Sequence, residues 1–173
     1  SLLILSGYGE PTLHPDIIEF VKYAKQHQIT RVCLETNGTK LTYSFIEQLI
    51  VVGLDIIVFN VDAFDSNNPN QPFASDNMID LIRSVKKKHN SETPYIVVQT
   101  INTLSQQPRV DYYFKRWEYI ADAIAIQPFN DFCGVFSCDN CFNMIPTSET
   151  PFCQKTSTNL FVLSDGKPTL CKQ

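Results

Sequence analysis

Five short runs of apolar and β-branched residues recur along this chain, at Leu2–Leu5, Arg31–Glu35, Ile56–Val61, Tyr95–Ile101 and Ala123–Gln127. Segments with helical spacing separate them. The runs are near-continuous in hydropathy rather than alternating, as parallel strands covered by helices are. Strand and helix in strict turn set the class as α/β. That alternation also constrains where a ligand can sit. In parallel α/β folds the binding crevice lies beyond the carboxyl ends of the strands.

The intervening segments read as four helices. The first spans about 15–26, with Pro15 suited to the first helical position and Ile17, Ile18, Val21 and Ala24 on one face. The second opens on Ser44-Phe45-Ile46-Glu47, a capping-box pattern, and ends at Gly53. The third starts near Ser75 and Asp76 and carries Met78, Ile79, Ile82 and Val85 on one side. Its end, Lys86-Lys87-Lys88, complements a helix dipole as a solvated face. The fourth lies between about 108 and 120, and its aromatics, Tyr112, Tyr113, Phe114, Trp117 and Tyr119, are expected to pack in the core and at its rim. After Pro128 the alternation stops. Residues 129–152 read as loop, and a hairpin is expected around Asp165-Gly166, between Leu160–Leu163 and Pro168–Cys171.

Charge narrows the function classes. The net charge is −4 with no basic stripe, so a nucleic-acid partner is not expected. No apolar run reaches membrane-spanning length and no signal peptide is evident, so a cytoplasmic setting is expected.

Polar groups then recur where the ligand should be. The first run ends in Gly7-Tyr8-Gly9-Glu10-Pro11, the second in Glu35-Thr36-Asn37-Gly38, the third in Asn60 and Asp62, the fourth in Gln99 and Asn102, and the fifth in Gln127-Pro128. Each has a structural explanation alone: Asn37-Gly38 is a turn pair, and Asp62 can cap a loop. Five at equivalent positions point to a polar small-molecule site. Glycines let backbone approach a ligand, proline fixes the turn, and Glu10 presents a carboxylate to a cation.

Gly-x-Gly-Glu-Pro after a strand, then "TLHPDI", "TNG" and "GLDIIVFNVDAFD", resembles the radical S-adenosylmethionine superfamily over essentially the whole chain. The resemblance implies that Gly9, Glu10 and Pro11 bind the methionine amino group of S-adenosylmethionine. It implies that Asn37, Asn60, Asp62 and Gln99 help hold its carboxylate, ribose and adenine. Tyr8 departs from the commoner pair of adjacent glycines. The family barrel has six βα units and a Cys-x3-Cys-x2-Cys triplet that binds a 4Fe–4S cluster. Neither the first unit nor the triplet stands here. The chain opens at Ser1 directly on a strand, so the resemblance implies a fragment: a partial TIM-like barrel over 1–128, without its first βα unit. Alone it is expected to be inactive. The whole enzyme would form a 5′-deoxyadenosyl radical and abstract hydrogen from a peptide, protein or small-molecule substrate, with flavodoxin or ferredoxin as electron donor.

Of six cysteines, Cys133, Cys138, Cys141, Cys153 and Cys171 crowd the end of the chain, which suggests a local metal site rather than a disulfide framework. Cys153, Gly166 and Cys171 follow Cys-x12-Gly-x4-Cys, which resembles the opening of a SPASM domain, the bearer of an auxiliary 4Fe–4S cluster. The implied division is a cysteine-containing linker over 129–152 and the start of a SPASM-type domain over 153–173. Two other readings stand beside it: zinc held by Cys138 and Cys141 with Cys133 and Cys153, and plant-type ferredoxin spacing, which the strand–helix alternation disfavours. Cys33, inside a strand run, is expected to be a small buried hydrophobe. His14, before Pro15, is expected to cap or lie at the surface. A noncatalytic nucleotide-like binding module with a zinc-stapled tail is the rival to an enzyme. A conventional barrel hydrolase or lyase would have to use Glu10 with Asp62.

Overall fold

The computed structural model describes residues 1–7, 9–61, 74–102, 110–128 and 155–170. The chain divides into two compact units, Ser1–Ile101 with Gln106–Gln127, and Asn102–Ser105 with Pro128–Gln173.

In the first unit the five strands are β1 (Leu2–Leu5), β2 (Arg31–Thr36), β3 (Ile56–Asn60), β4 (Tyr95–Asn102) and β5 (Ala123–Pro128). They lie side by side in that order, and the first four pair parallel. Four helices fill the crossovers: α1 (Ile17–Gln26), α2 (Tyr43–Val51), α3 (Ala74–Lys88) and α4 (Val110–Trp117). The α/β class expected from the sequence is therefore the one observed.

Register decides which residues meet. Leu34 stands beside Ile57, Thr36 beside Phe59, Ile57 beside Ile96 and Phe59 beside Val98. Side chains alternate along a strand, so Val32, Leu34, Thr36, Ile57, Phe59, Ile96, Val98 and Thr100 share one face, and all are buried. They join a core with Ile17, Val21, Ile46, Leu49, Ile79, Ile82 and Val85 from the helices. Tyr113 and Trp117 of α4 are buried, whereas Phe114 and Tyr119 are exposed, the division into core and rim expected for that helix. The opposite face carries Ile4, Cys33, Val58, Asn60, Val97 and Gln99. Cys33 is buried, and desolvation, helped by the charge of Glu35, pushes its thiol up to about 12, so it stays protonated and inert.

Local chemistry sets the helix ends. His14 Nδ1 accepts the Asp16 N–H at 3.1 Å, and α1 begins two residues later than Pro15. The N-cap of α2 is Thr42, whose hydroxyl accepts the Phe45 N–H at 3.3 Å. This corrects the capping box expected at Ser44, because Glu47 turns instead to Lys88 Nζ and His89 Nε2, both at 2.8 Å. Three helices stop in the same way, with a left-handed residue just past the end: Gln28 at φ 62°, Gly53 at φ 88° and Asn90 at φ 49°. The next N–H then reaches back along the helix, from Ile29 to Ala24, Leu54 to Leu49 and Ser91 to Lys86, which closes a Schellman motif.

The pole opposite the ligand end is stitched by a repeated device. Asp55, just before β3, accepts the Val32 N–H of β2 at 2.7 Å and pairs with Lys25 of α1 at 2.8 Å. Two strands on, Asp122 before β5 accepts the Ile96 N–H of β4 at 2.7 Å, with Lys86 of α3 at 3.8 Å.

In the second unit, a short helix α5 (Lys155–Thr158) precedes the two-stranded antiparallel β6 (Phe161–Val162) and β7 (Pro168–Thr169). The expected hairpin is present. Its turn is a three-residue loop rather than a two-residue one: Gly166, at φ 81°, donates to Leu163, and the Leu163 N–H returns to Lys167.

Candidate functional site

The strand-end loops of β1 and β2 meet on one carboxylate. Glu10, itself in an extended conformation, caps the short 3-10 helix Pro11–Leu13, where proline takes the first helical position. Its Oε1 accepts the Thr12 N–H at 3.0 Å, the Thr12 hydroxyl at 2.6 Å and the Thr36 hydroxyl at 2.6 Å. Its Oε2 accepts one donor, the Asn37 N–H at 2.7 Å. An ionised carboxylate offers about four acceptor directions, two on each oxygen. Among the described residues, three donors fill Oε1 and a single one reaches Oε2, which keeps one direction open to them. Burial pushes the Glu10 carboxyl up, but the bonds from Asn37, Thr12 and Thr36 outweigh it and hold the group below the usual glutamate range. Glu10 is thus a fixed anion with one open acceptor position.

Thr36 completes this corner. Buried at the end of β2, it donates to Glu10 and accepts the Gly38 N–H at 3.0 Å. Gly38 sits at φ 76°, and a Cβ there would stand 3.0 Å from Phe59 Cε1, so only glycine fits. The Asn37 side-chain oxygen is engaged locally, accepting the Thr39 N–H at 3.0 Å and hydroxyl at 2.8 Å. Its backbone serves Glu10. Beside Gly7 and Gly9 no described atom lies within 4 Å of where a Cβ would stand.

Across β3, β4 and β5 the rim is a row of amides. Gln127 Nε2 donates to Gln99 Oε1 at 2.8 Å, and Gln99 Nε2 donates to Asn60 Oδ1 at 2.8 Å. On the opposite face of the sheet the buried Thr100 hydroxyl donates to the Val61 carbonyl at 3.1 Å.

Among the residues expected from the sequence, the structure brings Glu10 and Asn37 together at one corner and Asn60 and Gln99 together at another. Gly9 and Pro11 flank Glu10 in the chain. Asp62, Cys138, Cys141, Cys153 and Cys171 lie outside the described residues, as does Cys133. Among the described residues no group of three His, Cys, Asp or Glu side chains could hold a metal. Sequence reading missed Thr12 and Thr36 as partners of Glu10, and it noted Gln127 only as a strand-end polar residue. A hydroxyl residue two places after the carboxylate, and another just before Asn-Gly, were the available signals.

The model of the family described as the Radical SAM superfamily matches residues 2–107. The AdoMet-dependent heme synthase of Methanosarcina barkeri is 41% identical over 61 residues, which is 35% of this chain and 17% of that protein. The GTP 3′,8-cyclase of Chlorobaculum tepidum is 35% identical over 99 residues, 56% of this chain and 28% of the relative. The chain therefore matches less than a third of the length of either relative. The solved structure of native anSMEcpe with bound AdoMet and Kp18Cys peptide aligns over 74% of this chain and 38% of its own, with 17% identity and a TM-score of 0.48.

Proposed function

The chain belongs to the radical SAM superfamily, and from that membership we propose that it is the S-adenosylmethionine-holding part of an enzyme that abstracts hydrogen from a peptide, protein or small-molecule substrate. The observation that carries this reading is Glu10, an ionised carboxylate with one acceptor position open at the strand-end lip. A methionine ammonium supplies the matching donor and charge. The residues present fit the rest of that ligand in kind: no described atom crowds Gly7 and Gly9, which suits a close approach, and the amides of Asn60, Gln99 and Gln127 offer donors and acceptors to hydroxyls and ring nitrogens. Asp62 belongs to the same proposed set.

When bound, a reduced 4Fe–4S cluster would supply the electron for reductive cleavage of S-adenosylmethionine. In this reading the residues at the strand ends bind and orient the nucleoside ligand. Glu10 fixes the amino end, and the amide row faces the other end. In the tail, the spacing of Cys153, Gly166 and Cys171 supports an auxiliary 4Fe–4S cluster of the SPASM type, with Cys138 and Cys141 as further candidate ligands. A small reductant such as flavodoxin or ferredoxin is the expected electron donor, in a reducing cytoplasm. Among the described residues no helix is long and apolar enough to cross a membrane.

The test is calorimetry of S-adenosylmethionine on the full-length protein, its radical cluster loaded, with Glu10→Gln beside wild type. Loss of a charge-assisted bond worth about 1.5–3 kcal/mol lowers affinity roughly tenfold or more. An unchanged affinity in a folded variant refutes the reading and leaves Glu10 a loop anchor.

A further inference from the structure

We propose that Asn60, Gln99 and Gln127 form a polarity relay, in which residue 127 decides whether Asn60 presents a donor or an acceptor to a ligand at the strand ends. The inference deepens the function proposed above and rests on its placing of the ligand at this rim.

The three carboxamides stand on neighbouring strands and are joined by two bonds of 2.8 Å, both running from Gln127 toward Asn60. A carboxamide carries donors on one side and an acceptor on the other. Turning Gln99 alone would set oxygen against oxygen at one link and N–H against N–H at the other. Two arrangements satisfy both links, and they differ by turning all three amides together. In the observed sense, among the described residues, Asn60 Nδ2 and Gln127 Oε1 are the groups left at the two ends. A ligand lying across β3 to β5 therefore meets a donor over β3 and an acceptor over β5. That selects a molecule with a hydroxyl, carboxylate or ring nitrogen to accept at one end, and an N–H or O–H to donate at the other. In the reverse sense the two characters exchange. Gln127 is the positioning residue: it is the exposed end of the row, and what it offers Gln99 fixes the sense of the whole.

Substitution can lock either sense. A carboxylate only accepts. Asn60→Asp holds the observed sense, because it must accept from Gln99 Nε2. Gln127→Glu forces the reverse, because Gln99 must then donate toward strand β5 and turn its oxygen to Asn60. Together they leave Gln99 between two acceptors, with its oxygen facing one of them. Urea unfolding of the full-length protein reads this directly. Each single variant keeps an intact row. The double variant should lose folding constant beyond the product of the single effects by about tenfold, the size of one lost charged hydrogen bond. In a Gln99→Met background that excess should shrink to the weak repulsion between two separated carboxylates. An equal excess in both backgrounds overturns the relay. Calorimetry on the same proteins tests the reach to ligand: Gln127→Glu should lower S-adenosylmethionine affinity about tenfold with Gln99 present and little with Met in its place. Affinity unmoved by Gln127→Glu overturns the claim that the relay governs the ligand. If the wild-type protein does not bind S-adenosylmethionine, the functional reading fails, while the unfolding cycle still decides the relay.

Discussion

Glu10 joins two loops before it meets any ligand, and pH separates the two roles. Burial raises its carboxyl, but the donors from Asn37, Thr12 and Thr36 carry it below the usual glutamate range. A group lowered on folding contributes stability that is present above its unfolded value and is lost as pH falls through the folded one. Wild type should therefore exceed Glu10→Gln in urea stability at pH 7, and the gap should close on acidification well below about pH 4. Matching pH profiles for the two proteins would deny the carboxylate this anchoring role. Thr36→Val removes a donor from Glu10 and leaves the Gly38 N–H without its acceptor. The expected loss is about 1–3 kcal/mol, and Thr36→Ser should restore most of it. Strand-end position made Glu10, Asn37, Asn60 and Gln99 legible in the sequence. It did not reveal that Asn37 works through its backbone. Thr36 was noted only as part of the polar strand end, and its tie to Glu10 stayed hidden because that partner stands 26 residues away.

For the secondary-structure elements, the sequence located all five strands of the first unit and their order in the chain; it placed the helix ends less well. Thr42 and Ser44 both suit a cap, and Ser44 carries the local Ser-x-x-Glu pattern. What defeats that pattern is distant: Lys88 and His89 draw Glu47 away. Thr42→Ala should cost about 1 kcal/mol, while Ser44→Ala should change urea stability by only a few tenths. The helix stops give a paired prediction. Gln28 and Gly53 occupy the same left-handed position past α1 and α2. Gln28→Gly should stabilise and Gly53→Ala destabilise, each by about 1 kcal/mol, measured by thermal or urea unfolding. The Asp55 and Asp122 stitches were not legible, because each acid's meaning is the N–H of a strand already formed. Asp55→Ala should release the Val32 amide to hydrogen exchange, whereas Lys25→Met should leave it protected.

For the molecule as a whole, composition and charge argue against a nucleic-acid partner but do not choose a substrate, and the tail is read from cysteine spacing. Replacing Cys153 and Cys171 with alanine in the full-length protein should remove about four irons per chain and spare the radical cluster; an unchanged iron count ends the auxiliary-cluster proposal. The chain by itself, reconstituted with iron and sulfide and given dithionite, should form no 5′-deoxyadenosine. Turnover there would show that these 173 residues suffice. The strand order, β1-β2-β3-β4-β5, is also the order of synthesis. Each strand leaving the ribosome finds its neighbour already made, one crossover behind it. Loop closure is met in short instalments, whose cost grows only with the logarithm of length. Among the described strands, translation thus adds each new one beside the strand made just before it.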